Sequence, residues 1–95
     1  MNEPQDLFTA LEAVVDEHSF ARFVAILIDD RDAADSSPLT MDGFRGEWAN
    51  HSIANFLEAA SAWALDSGFG ERPGPKPSSP WRVFATFLWA GRGYE

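Results

Sequence analysis

The stretch Asp29-Asp30-Arg31-Asp32-Ala33-Ala34-Asp35 puts four carboxylates into seven residues, the composition of a cation site or of a landing patch for basic side chains. A calcium loop of the EF-hand kind needs oxygen ligands at its first, third and fifth positions, glycine at the sixth and a glutamate at the twelfth. Counted from Asp30, the fifth position is Ala34, the sixth is Asp35 and Met41 stands in the place of the glutamate, so that motif is ruled out. Two readings stay open: a solvated acidic helix end, or a patch that attracts the basic residues of another protein. His18 and His51 have no third ligand at a metal-site spacing, and there is no His-Glu-x-x-His pattern. With no cysteine, the chain has no thiolate metal site, no thiol nucleophile and no disulfide. Ser52, Ser61 and Ser67 lack a nucleophile-elbow context, and Gly43-x-x-Gly46 without a following Lys-Ser/Thr reads as a turn. Glu47 and Glu58 are candidate general bases by type only, since nothing in the sequence marks a pocket around them. The expectation is a protein with no catalytic residue, no metal and no cofactor.

A second candidate lies near the C-terminus. At 100° per residue Trp89 shares the arc of Arg82, Thr86 and Gly93, opposite the apolar side of its segment. Either the Pro-rich stretch before it covers the indole, or Trp89 and Arg82 are offered to a partner, Trp and Arg being the types that dominate interface energies.

Charge separates the chain into unlike halves. Of the fifteen acidic residues eleven precede Trp48, where only three arginines balance them, and the net charge of −8 resides there; the remainder carries four of each sign. Such a surface disfavours nucleic acid and anionic membranes as direct partners and favours a basic protein. The opening residues, Met1 to Asp6, have neither the basic flank nor the apolar run of a signal peptide, and no stretch approaches the ~20 apolar residues of a membrane span. A cytoplasmic protein is expected.

Four helices have to position these groups. Pro4 opens a pattern over about 5–17 in which Leu7, Leu11 and Val14 share a stripe. After a joint at His18-Ser19-Phe20, with Ser19 as N-cap, Phe20, Phe23, Val24, Leu27 and Ile28 mark a second helix over about 19–32. Its C-terminal turns collect Asp29, Asp30, Asp32 and Asp35 where the helix dipole favours cations, so it either stops near Asp29 or accepts a local penalty. Leu39 to Glu47 reads as a loop that can lay Leu39, Met41 and Phe44 on the core. Asn50 is the expected N-cap of a third helix over about 50–67, which turns Ile53, Phe56, Leu57, Ala60 and Ala64 inward with Trp63 at the flank and ends at Gly68. The two alanines let an aromatic-rich neighbour come close. A linker over about 69–80 holds Pro73, Pro75 and Pro77, and a last helix starts at Ser79-Pro80 and runs to about 93. Its expected core face is Val83, Phe84, Phe87, Leu88 and Tyr94, with Trp81 at the margin, and the hydroxyl of Tyr94 should find a partner. Trp48, Trp63 and Trp81 are expected at the core or its boundary. The predicted fold is a single all-α domain, a bundle of four helices with the last one central.

Several of these residues form an ordered set of landmarks: Phe20-x-x-Phe23-Val24-x-x-Leu27, Trp48-x-Asn50, Phe56-Leu57-Glu58-Ala59, Ala62-Trp63, Trp81-x-x-Phe84-Ala85-x-x-Leu88-x-Ala90, and Tyr94-Glu95. Over roughly residues 19–95 the chain resembles an uncharacterised family of small bacterial proteins known as domain of unknown function 7660. Its pattern carries a lysine shortly before the Tyr-Glu pair, where this chain has Gly91-Arg92-Gly93. The resemblance implies a compact, mostly helical domain and brings no activity, cofactor or catalytic residue with it.

Function is therefore expected to lie in binding: an acidic, non-enzymatic module that docks on a basic protein, as bacterial immunity proteins do on toxins, steered by Asp29, Asp30, Asp32 and Asp35 and anchored by Trp89 with Arg82. The alternative is a homo-oligomeric or accessory subunit whose surplus of aromatic residues is its own interface. A small hydrolase-type enzyme would need a cleft that holds two carboxylates close together.

Overall fold

A computed structural model describes residues 6–72, 74 and 79–94. Expectations placed on Pro4, Pro73, Pro75, Pro77 and Glu95 lie outside the described residues. The described residues fold into four helices, α1 (Leu7–Glu12), α2 (Glu17–Asp35), α3 (Ile53–Ser67) and α4 (Pro80–Gly91). Helix α4 packs against all three others, most extensively against α3, while α1 and α2 pack on each other. The all-α bundle with a central last helix is thus the observed architecture. No helix among the described residues is long and apolar enough to cross a membrane.

Local chemistry accounts for the helix ends. Asp6 caps α1, its carboxylate accepting from the Thr9 amide at 3.2 Å. Ser19, expected as the N-cap of α2, is instead the third residue of a capping box: Asp16 Oδ1 accepts from the Ser19 amide at 2.9 Å, and the Ser19 hydroxyl accepts from the Asp16 amide at 3.0 Å. An aspartate three residues upstream makes the same serine a partner of the cap, which shortens α1 and starts α2 two residues early. At the other end α2 runs on to Asp35, so the chain accepts the unfavourable anions in its last turns; Arg31 relieves part of this through an i,i+4 pair with Asp35 at 2.9 Å. Gly68 ends α3 in the expected left-handed conformation. Pro80 opens α4, whereas Ser79 makes no side-chain cap and donates its hydroxyl to the Val15 carbonyl at 3.4 Å.

The Asp16 cap is sensitive to acid. Hydrogen bonds from the Ser19 amide and hydroxyl hold its carboxyl below the usual 3.8. A depressed folded-state value means that the unfolded chain takes up the proton first as the pH falls, so the contribution is complete above about pH 3.8 and is lost as the pH drops through the lower folded value. Asp16→Ala is expected to lower the melting temperature at neutral pH, with the gap from wild type narrowing below pH 3.8. Thermal unfolding followed by circular dichroism reads this directly; a gap independent of pH would show that the carboxylate is not the capping group.

The core joins Leu7, Leu11 and Val14 to Phe23 and Leu27 of α2, to Trp48 and to Ala85 of α4. Two expected faces are redrawn. On α3, Ala59, Ala60 and Ala64 are buried and Phe56 and Trp63 half-buried, but Ile53 is 80% exposed and Leu57 also faces outward. Of the other helices α3 touches only α4, so a narrow strip of it is covered. On α4, Val83, Ala85, Ala90 and Gly91 are buried and Phe87 and Leu88 half-buried, while Phe84 is 53% exposed; Tyr94, expected on the same face, lies beyond the helix end and is half-buried. A helix with neighbours on more than one side buries its small residues where backbones approach and pushes larger rings to the flanks. Trp81 accordingly sits at the surface, its ring 5.3 Å from Phe20 and 6.3 Å from Phe84. Leu39 and Met41, expected on the core, are exposed, and of the three apolar residues expected there Phe44 alone is partly covered.

Candidate functional site

Arg92, just beyond α4, organises the best-built polar cluster among the described residues. Although charged, it is only 6% exposed. Its Nη1 donates to Asp30 Oδ2 and to Glu47 Oε2, each at 3.0 Å, and its Nε donates to the Trp89 carbonyl at 3.3 Å. The guanidinium also lies over the Trp89 ring, 5.6 Å from its centroid. Asp30 Oδ2 accepts a further hydrogen bond from the Trp48 indole at 2.8 Å. The indole of Trp48 thus finds its partner on one of the four clustered aspartates. That carboxylate is turned inward to a cation and a donor, which is how a partly buried charge is satisfied.

Trp48-x-Asn50 holds the end of α4 from the other side. Asn50 was the expected N-cap of α3, but Ser52 takes that position, accepting from the Asn55 amide at 3.1 Å. Asn50 Nδ2 donates instead to the Gly91 carbonyl at 2.9 Å, and the amides of Ala49 and Asn50 donate to the Arg92 carbonyl at 2.8 and 3.2 Å. These bonds satisfy carbonyls that a helix end leaves without partners. Arg31 completes the junction, donating to the Asn50 carbonyl at 3.0 Å and lying over Trp48, whose ring stacks on Phe56 at 5.6 Å. Tyr94 anchors the last turn: its hydroxyl donates to Asp66 as expected, and that bond first, then desolvation and the nearby charge, raises the phenol above its ordinary value.

Beside the Arg92 cluster opens a cleft of about 590 Å³. The start of α1 supplies Asp6 and Phe8, the turn before Trp48 supplies Asp42, Phe44 and Glu47, and α4 supplies Trp89, with Arg92 also on its wall. Three carboxylates therefore share the opening with three aromatic rings, and the one guanidinium there is already paired. The sequence leaves two expectations for Trp89, cover by the Pro-rich stretch or presentation to a partner. It is half-buried against the core, with Phe8 of α1 at 6.0 Å, and forms part of the cleft wall. Arg82 does not join it: the side chain turns to the end of α1, donating from Nε to the Val14 carbonyl at 3.4 Å and from Nη2 to the Glu12 carbonyl. A residue on the same arc in projection can point along the helix to a different neighbour, and here two bare carbonyls draw the guanidinium away.

Of the acidic stretch, Asp29, Asp32 and Asp35 are exposed and only Asp30 faces the cluster. His51 binds the Gly43 carbonyl through Nε2 at 2.8 Å, and His18 is exposed in the first turn of α2. Glu58 is exposed on α3 and does not line the cleft that Glu47 borders. Among the described residues no group of three His, Asp or Glu is placed to hold a metal ion. Arg92 and the turn around Asp42 are not among the residues that the sequence singles out as a site. The signal available for Arg92 was its place between two glycines where side-chain bulk is restricted; a Cβ on Gly93 would stand 3.1 Å from the Glu47 carbonyl.

A family model described as a family of unknown function (DUF7660) matches residues 16–95. No curated protein and no solved structure matches the chain significantly. The matched region starts at Asp16, the cap of α2, so the wall of the cleft contributed by α1 lies before it.

Proposed function

The chain belongs to the DUF7660 family, and on that premise we propose, from its own surface, that it is a small acidic protein-binding domain, non-enzymatic, that docks on a basic protein in the cytoplasm. One observation carries the reading: three exposed acids stand together near the end of α2 while four of the arginines are engaged within the fold. Asp29, Asp32 and Asp35 stand exposed on α2, whereas Arg31, Arg45, Arg82 and Arg92 all donate to groups of the protein itself. The anions at the end of α2 oppose the helix dipole, a local cost that a role in steering a cationic partner would explain. A second reading, self-association, is favoured by the exposed Ile28, Ile53, Leu57, Leu65 and Phe84.

Titration of the chain against a folded basic protein such as lysozyme, and against an acidic control, tests the docking. Binding to the basic protein is expected to weaken as salt rises from about 0.05 to about 0.3 M, and to fall several-fold in Asp29→Asn/Asp32→Asn. Equal binding to both proteins, or no effect of the double substitution, would reject it. Sedimentation of the same samples that shows a dimer persisting on dilution would move the assignment to self-association.

A further inference from the structure

Resting on the docking reading, we propose that the cleft between α1, the turn at Asp42 and the end of α4 seats an arginine side chain of the basic partner. The lining matches a guanidinium in two respects. Its carboxylates are each held by a hydrogen bond to one oxygen: Asp6 Oδ2 by the Thr9 amide, Asp42 Oδ1 by the Thr40 hydroxyl, Glu47 Oε2 by Arg92. Asp6 Oδ1, Asp42 Oδ2 and Glu47 Oε1 stand outside these bonds, on carboxylates whose orientation is already set. The planar five-donor fork of a guanidinium can address several such oxygens together, which an ammonium group does only as a point charge. The apolar walls, Phe8, Phe44 and Trp89, offer faces on which a guanidinium plane can stack.

The protein already binds this group in the same chemistry. Arg92 lies over the Trp89 ring and between Asp30 and Glu47, so its own guanidinium occupies one aromatic and acidic niche at the edge of the cleft. Because two carboxylates neutralise Arg92, an incoming cation meets a net acidic opening. Glu47, with its side chain 78% exposed, reaches both the internal arginine and the solvent side.

The test uses the full chain, isotopically labelled, and short peptides of identical sequence that carry one arginine, lysine or citrulline. Amide and indole shifts are expected to concentrate on residues 6–8, 40–47 and Trp89, with the arginine peptide binding roughly tenfold more tightly than the citrulline one and more tightly than the lysine one. Asp42→Asn keeps the oxygen that accepts from Thr40 but removes the charge, and should weaken the arginine peptide several-fold. Phe8→Ala should do the same, with the far-ultraviolet spectrum confirming that each variant is folded. Equal affinity of the arginine and lysine or citrulline peptides, or shifts spread along α2 instead of the cleft, would overturn the arginine seat. If lysozyme still binds in a salt-dependent manner but neither variant changes that binding, the seat is wrong and the docking reading stands. If the basic protein binds no better than the acidic control, it is the docking reading that fails.

Discussion

Arg92→Ala is expected to cost about 3 kcal/mol of folding stability, a large fraction of what a domain of this size possesses. The side chain is buried, and its removal strands the Asp30 carboxylate with only the Trp48 indole, empties the space beside Trp89 and releases Glu47. Glu47 is mostly in water and contributes little to the loss; Asp30, whose side chain is 34% exposed, and the packed aliphatic stem contribute most. Arg92→Lys keeps the charge but cannot reach Asp30, Glu47 and the Trp89 carbonyl with one fork, so it should recover only part of the difference. Urea unfolding measures both. The midpoint should fall at constant slope, and an Arg92→Ala loss below about 0.5 kcal/mol would place the cluster in the class of surface pairs.

Gly91→Val is expected to be as damaging, and Gly91→Ala to destabilise where helix propensity alone predicts a gain of about 1 kcal/mol. A Cβ at position 91 would meet the Phe56 carbonyl oxygen at 2.9 Å, the Phe56 ring at 3.0 Å and Ala60 Cβ at 3.1 Å. The oxygen belongs to the backbone of α3 and cannot swing aside, so α3 and α4 must move apart along the most extensive contact of the bundle. Overpacking of this kind costs about 1–3 kcal/mol, with alanine near the lower figure and valine near the upper. Gly74→Ala, where an added Cβ meets nothing within 4 Å, serves as control and should be neutral. A stabilised Gly91→Ala protein would mean that the two helices are not in close contact there.

The two results bear on different parts of the molecule. Gly91 sets how close α4 comes to α3, and Arg92 ties the end of α4 to α2 and to the turn that lines the cleft. Loss of Arg92 should therefore lower stability, while Asp42→Asn, which tests the proposed arginine seat, should leave stability unchanged.

Much of the architecture can be derived from the residues in order. The i, i+3, i+4 spacing from Phe20 to Ile28, Pro80 and Gly68, and the small Ala60 and Ala64 require helices and a close neighbour for α3, although α1 ends at Glu12, well before the expected 17. Tyr94 at the end of an amphipathic segment calls for a hydroxyl partner, although only the fold brings Asp66 to it. Local rules failed where two residues had equal claims: Asp16 and Ser19 are both good caps, as are Asn50 and Ser52, and the choice fell to the one whose rival had other work, Ser19 closing the capping box and Asn50 holding the end of α4. The helices and the acidic excess of the first half are therefore legible in the residues taken in order, because periodicity involves neighbours three or four residues apart and charge follows from composition. Which aspartate of four turns inward, which carbonyls draw Arg82, and that Asp6, Asp42, Glu47 and Trp89 border one cleft emerge only once the helices are packed. Those contacts span from about 18 to about 83 positions of the chain, and the potential of a charged side chain to pair carries no record of which distant partner the packing will deliver.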